Sequence, residues 1–175
     1  MQSGAERHDG LEDRQAAVFG VFWVVRHIWR LKMTSKIVKK TLEEAHGVPN
    51  AEIDFSDKSL VHMDDMNRLW TMRNITRLTL SHNKISEVPP AIANLENMEI
   101  LNLFNNSLTE VPTSLSGMSK LRILNLGMNR LRSLPRGFGS FPLLEVLDLS
   151  YNMLNDESLP ENFFMLHTLR ALYMR

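Results

Sequence analysis

Between Asn74 and Tyr151 the chain repeats one arrangement of apolar and polar positions. The string Leu101-Asn-Leu-Phe-Asn-Asn-Ser-Leu108 has near-copies at Leu78-Thr-Leu-Ser-His-Asn-Lys-Ile85, Leu124-Asn-Leu-Gly-Met-Asn-Arg-Leu131 and Leu147-Asp-Leu-Ser-Tyr-Asn-Met-Leu154. Asn83, Asn106, Asn129 and Asn152 follow one another at 23-residue steps. Within each copy the leucines alternate with variable residues, which predicts a short strand with one inward face. A strand this short cannot bury its own leucines. Stacked neighbours must supply the missing walls.

The pattern L-x-x-L-x-L-x-x-N-x-L at a period in the twenties is that of a leucine-rich repeat. Each asparagine stands where the chain leaves the strand, and its amide both donates and accepts. Asn83, Asn106, Asn129 and Asn152 are therefore read as a structural ladder. The second half of each unit also recurs, as Val88-Pro89, Val111-Pro112, Leu134-Pro135 and Leu159-Pro160, followed by Leu95, Met118, Phe141 and Leu166. Proline fixes φ and removes a donor, which suits an irregular or single-turn helical return. The expected fold is an α/β leucine-rich repeat solenoid. It is a short right-handed superhelix with a concave parallel sheet and a short-helical convex side.

Residues 33–73 read as an N-terminal cap. Thr34 or Ser35 is expected to cap a helix through Lys36–Ala45, with Ile37, Val38, Leu42 and Ala45 near one face and Gly47 with Pro49 ending it. A degenerate repeat follows, in which Ile53, Phe55 and Leu60 hold the apolar sites and Lys58 stands where Asn is expected. Residues 74–175 hold four repeats and the start of a fifth. The fourth is two residues longer, and the insertion within Asn155-Asp-Glu-Ser158 is expected to bulge on one rim. The fifth opens at Leu169 and breaks off within its strand, as in a truncated chain.

Residues 1–32 share nothing with the repeats. Met1–Arg14 is polar and charged, and the extension 1–32 is expected to be disordered or to form a short apolar helix. The apolar run Ala16–Val25 is too short to cross a membrane, which takes about 20 apolar residues. The leader before it holds Glu6, Asp9, Glu12 and Asp13, unlike a signal peptide. Membrane contact of residues 16–40 through the basic residues that follow is not expected. The favoured reading is an extension from a start upstream of Met33.

Twenty basic and twenty acidic side chains give no net charge, so no general attraction to nucleic acid or membrane is indicated. With no cysteine, a disulfide framework is excluded and a reducing, cytoplasmic setting is favoured. The six histidines show no metal-ligand spacing, Gly137-Phe-Gly139 reads as a break in the return, and Asp64-Asp65 read as solvated cap residues. The triplets Asn74-Ile-Thr76 and Asn105-Asn-Ser107 match a glycosylation acceptor as by-products of an Asn-rich repeat. Neither an enzyme nor a cofactor is expected.

Strand side chains facing away from the core form columns. One holds Arg77, Ile100, Ile123 and Val146, and the next Thr79, Asn102, Asn125 and Asp148. A third holds Ser81, Phe104, Gly127 and Ser150, and the site before each ladder asparagine gives His82, Asn105, Met128 and Tyr151. Ile100 and Ile123 also suit a strand on propensity alone. Phe104, Met128 and Tyr151 have no core to enter, and such residues are enriched at interface centres. The candidate partner-binding set is Phe104, Met128, Tyr151, Ile100, Ile123, Asn102, Asn125 and Asp148.

The 23-residue units with their Leu/Val-Pro return resemble the intracellular group of Ras-suppressor and Shoc-2-like proteins. The likeness shows in Leu80-Ser-His-Asn-Lys84, Leu124–Leu131, Leu134-Pro-Arg-Gly-Phe-Gly-Ser140, Leu144-Glu-Val-Leu-Asp-Leu149, Asn162-Phe-Phe164 and Thr168-Leu-Arg-Ala-Leu-Tyr173. It covers about Met33 to Arg175; the later repeats and tail of that group are missing. The resemblance implies a signalling adaptor that restrains Ras and joins integrin adhesion complexes by binding a LIM domain of PINCH. Rival expectations are a module docking a small GTPase or a phosphatase, and a secreted or receptor repeat fragment.

Overall fold

The structure, a computed structural model, describes residues 32–63 and 66–175. The expectations for residues 1–31, and for Asp64-Asp65, lie outside the described residues. The chain divides into two units, Met1–Ile37 and Val38–Arg175. Of the first, the described part is helical from residue 32. The helix spans 32–45, so it is already running at Thr34 and Ser35. Neither residue is the N-cap the sequence suggested, because Lys32 and Met33 are themselves good helix formers. Val38 and Leu42 are buried, whereas Ile37 is exposed. Gly47 ends the helix at φ 79°, a conformation that costs a residue without Cβ little.

In the second unit, six parallel strands lie in chain order in one sheet. They are β1 (Ala51–Asp54), β2 (Ile75–Thr79), β3 (Ile100–Asn102), β4 (Ile123–Asn125), β5 (Val146–Asp148) and β6 (Ala171–Tyr173). Register holds along the sheet: Leu78 pairs with Leu101, Leu101 with Leu124, Leu124 with Leu147 and Leu147 with Leu172. Leu78, Leu101, Leu124 and Leu147 are fully buried, as are Leu80, Leu103 and Leu126. Burying one such side chain stabilises by about 1.5–3 kcal/mol. Stacking is what makes that burial possible.

The returns are 3-10 turns, at Pro90–Asn94, Thr113–Gly117, Phe138–Ser140 and Glu161–Met165. Each sends one apolar residue into the core: Ile92, Leu115, Phe138 and Phe163. Phe138 and Phe163 stack with ring centroids 6.4 Å apart, and Phe141 meets Phe138 edge-on at 5.3 Å. Gly139 lies under this cluster, where a Cβ would overlap the Asn162 carbonyl. The insertion in the fourth repeat forms an added turn, Asp156–Ser158. Asn155 N–H donates to Ser158 Oγ at 2.9 Å and Ser158 Oγ donates back to Asn155 Oδ1 at 2.7 Å.

Candidate functional site

The ladder asparagines are bonded inside the fold. Asn106 Oδ1 accepts from Ile85 N–H at 3.0 Å, while its Nδ2 donates to the Leu80 and Leu103 carbonyls at 2.9 and 3.1 Å. Asn129 and Asn152 repeat this one and two rungs on, from Leu108 and Leu131. Asn83 accepts from both Lys58 N–H and Leu60 N–H. The degenerate first repeat is thus closed by its neighbour, although Lys58 stands in its own asparagine position. Asn83, Asn106 and Asn129 are buried, and no buried side-chain nitrogen or oxygen among the described residues lacks a partner.

The sheet face turned from the core carries the rest of the candidate set. Ile100 pairs with Ile123 and Ile123 with Val146, in one half-buried column. Beside it, Asn102 Oδ1 accepts from Phe104 N–H, Asn125 Oδ1 from Gly127 N–H and Asp148 Oδ1 from Ser150 N–H, at 2.9–3.0 Å. Side-chain oxygens bonding the backbone two residues on set the turn by which each strand ends. These residues shape the rung as well as facing outward. Asp54 does the same for β1, accepting from Ser56 N–H at 2.7 Å. The hydrogen bonds from the Ser56 side chain and backbone hold its carboxyl below the ordinary aspartate value.

Phe104 is half-buried and meets the His82 ring edge-on, with centroids 5.5 Å apart. Asn105 Nδ2 lies 2.9 Å from His82 Nδ1. On the other side lies Gly127, which is buried, with the Asp148 carboxylate packed where a Cβ would stand, 3.0 Å from Oδ2. Met128 and Tyr151 are exposed on the rim. The face therefore sets Phe104 between His82 and the rung of Gly127, with Met128 and Tyr151 in the flanking column. Sequence reasoning did not single out His82 as Phe104's neighbour; their spacing, one period less one residue, was the available signal.

Ion pairs tie neighbouring rungs at the start of the strands. Arg77 Nε is 3.6 Å from Glu52, and Glu145 receives Arg122 on one oxygen and Arg170, at 3.8 Å, on the other. Asn74 Nδ2 donates to the Ala45 and Val48 carbonyls at 2.8 and 2.7 Å, fastening the end of the helix to β2. Among the described residues no cluster of three His, Asp or Glu could hold a metal ion, and no helix is long and apolar enough to cross a membrane.

A parallel sheet of six stacked rungs, four of them closed by a ladder asparagine, defines a repeat solenoid. Residues 52–175 match the family model for a leucine-rich repeat region, and the chain belongs to that family. It is similar to Ras suppressor protein 1 of Homo sapiens, at 66% identity over 140 residues, and to that of Bos taurus, at 65% over 140 residues. These alignments cover 80% of this chain and 50% of each relative, so the chain spans about half the length of the curated relatives it matches. Among solved structures, the plant peptide hormone receptor RGFR1 in complex with RGF2 aligns at TM-score 0.61 and 28% identity, over 70% of this chain and 20% of that one. The ectodomain of the receptor kinase SOBIR1 from Arabidopsis thaliana aligns at TM-score 0.55 and 25% identity, over 70% of each chain.

Proposed function

We propose that this chain is a non-catalytic scaffold whose outer sheet face receives a protein partner, a LIM-domain adaptor of the PINCH type in integrin-linked adhesion complexes. In this reading it restrains Ras signalling from the cytoplasm, possessing neither substrate nor cofactor. One observation carries the site: Phe104 lies half-buried on the face turned from the core, with the His82 ring edge-on against it. Large apolar side chains on such a face serve association better than folding. The likeness to Ras suppressor protein 1 supports the signalling setting.

The test is capture of a LIM-domain protein by the wild-type chain and by a variant carrying Phe104→Ser, Met128→Ser and Tyr151→Ser. Binding should fall at least about tenfold with an unchanged circular dichroism spectrum, since central apolar contacts dominate interface energies. Equal capture by both removes the patch. The relatives' name favours a second reading, direct docking of a Ras-like GTPase by the same face. Running that protein in the same assay separates the two.

A further inference from the structure

The return of the first rung differs from those that follow it. Its 3-10 turn, Leu69–Thr71, carries Trp70 where the next three returns hold Ala93, Ser116 and Gly139. The fold therefore accepts a small residue at this place. Trp70 is 7% exposed, yet its indole N–H donates to no group among the described residues. Nor is that nitrogen sealed in, since every fully enclosed side-chain nitrogen and oxygen there has a partner. A tryptophan this buried usually bonds its N–H, and a phenylalanine ring would fill the space without needing to.

Trp70 lines a cavity of about 140 Å³ between the first and second rungs. Val61, Met63 and Pro89 give it apolar walls, while His62, Asn67 and Glu87 add polar groups. Those three are exposed, and none of their side chains is bonded or ion-paired among the described residues. The volume is several times the roughly 30 Å³ share of one water, yet below the roughly 300–1,000 Å³ of a site for a whole small molecule. It suits one side-chain head. The indole N–H calls for an acceptor, and the Glu87 carboxylate for a donor. A lysine ammonium would satisfy Glu87 but set donor against donor at Trp70. A carboxylate would take the N–H but meet the charge of Glu87. An amide offers a carbonyl and an N–H on one small head, and it costs less to remove from water than an ion.

We propose that this cavity binds an uncharged amide at the end of an apolar stem, a glutamine side chain or an N-acylated lysine of another protein, with its carbonyl on Trp70 and its N–H on Glu87. The site stands apart from the outer sheet face and does not depend on the partner proposed for it. The experiment titrates the full isotope-labelled chain with N-butylacetamide and butyramide, which carry the acyl-lysine and glutamine heads, and with butylammonium and butyrate. It reads the Trp70 indole N–H signal by NMR, assigned by the signals lost in Trp23→Phe and Trp29→Phe. At least one amide should shift that signal saturably and bind at least about tenfold more tightly than either ion. Glu87→Ala, an exposed change, should weaken that amide by about threefold to tenfold, as the loss of one hydrogen bond does. A preference for N-butylacetamide identifies acylated lysine as the source, and a preference for butyramide identifies glutamine. Tighter binding of butylammonium or butyrate overturns the proposal, as does a signal that none of the probes moves. Amide binding untouched by Glu87→Ala overturns it too.

Discussion

The side-chain amide of Asn129 bonds the carbonyl of Leu103, 26 positions earlier in the chain, at 3.0 Å. The same side chain accepts from Leu108 N–H at 3.0 Å, so one residue closes backbone groups on a neighbouring rung from inside the stack. Replacing Asn129 by Ala leaves those groups buried without partners. The expected loss is about 1–3 kcal/mol of unfolding free energy, read by urea denaturation. A loss below about 0.5 kcal/mol would show that water satisfies the turn instead.

Gly139 and Gly117 occupy comparable returns but differ in surroundings. A Cβ on Gly139 would overlap the Asn162 carbonyl, whereas one on Gly117 meets nothing within 4 Å. Gly139→Ala should therefore destabilise by roughly 1–3 kcal/mol, as overpacking does. Gly117→Ala should be neutral or slightly stabilising, because it narrows the unfolded ensemble. Thermal melts of the two variants side by side check the contrast.

Asp54 gives the structure an acid-sensitive turn. Its folded-state carboxyl titrates below the ordinary aspartate value because Ser56 bonds the charged form. A depressed folded value means the contribution is fully present above the unfolded aspartate value, about 3.9, and is lost as pH falls through the folded value. A carboxyl NMR titration should place Asp54 below free aspartate. Ser56→Ala should move it back upward.

Glu145 bonds two arginines whose side chains are 51% and 79% exposed, yet its replacement should matter little. Exposed ion pairs contribute about 0–1 kcal/mol, screened by salt. Glu145→Gln should shift stability by less than about 1 kcal/mol, and the shift should shrink in high salt.

Asn74 joins the helix end to the sheet through the Ala45 and Val48 carbonyls. Asn74→Ala should speed amide hydrogen exchange in residues 38–48 while leaving β3–β5 protected. Equal acceleration across all rungs would place that bond in the global fold rather than at the cap.

Strand positions and ladder asparagines were legible in the chain because both depend on local rules: alternation of period two and a recurring amide. The register of Leu101 with Leu124 and Leu147 follows from the same spacing. The turn-setting bonds of Asn102, Asn125 and Asp148 had a readable signal, an Asx residue two positions before the N–H it caps. Phe138 and Phe163 hid in the returns, where no alternation marks a side chain as inward. Nothing local marked the N-terminal cap fastening of Asn74 either, since its partners lie 26 and 29 positions away.

By itself the sequence determined that near-identical rungs stack, because each rung's leucines can be buried only against the next. Tertiary structure alone decided which polar groups are consumed within the fold and which apolar ones are left facing out. It also put Met128 and Tyr151 in left-handed turns that neither residue type prefers. The reason is physical: alternation states which way a side chain points, while hydrogen-bond partners and backbone strain come from residues one rung away.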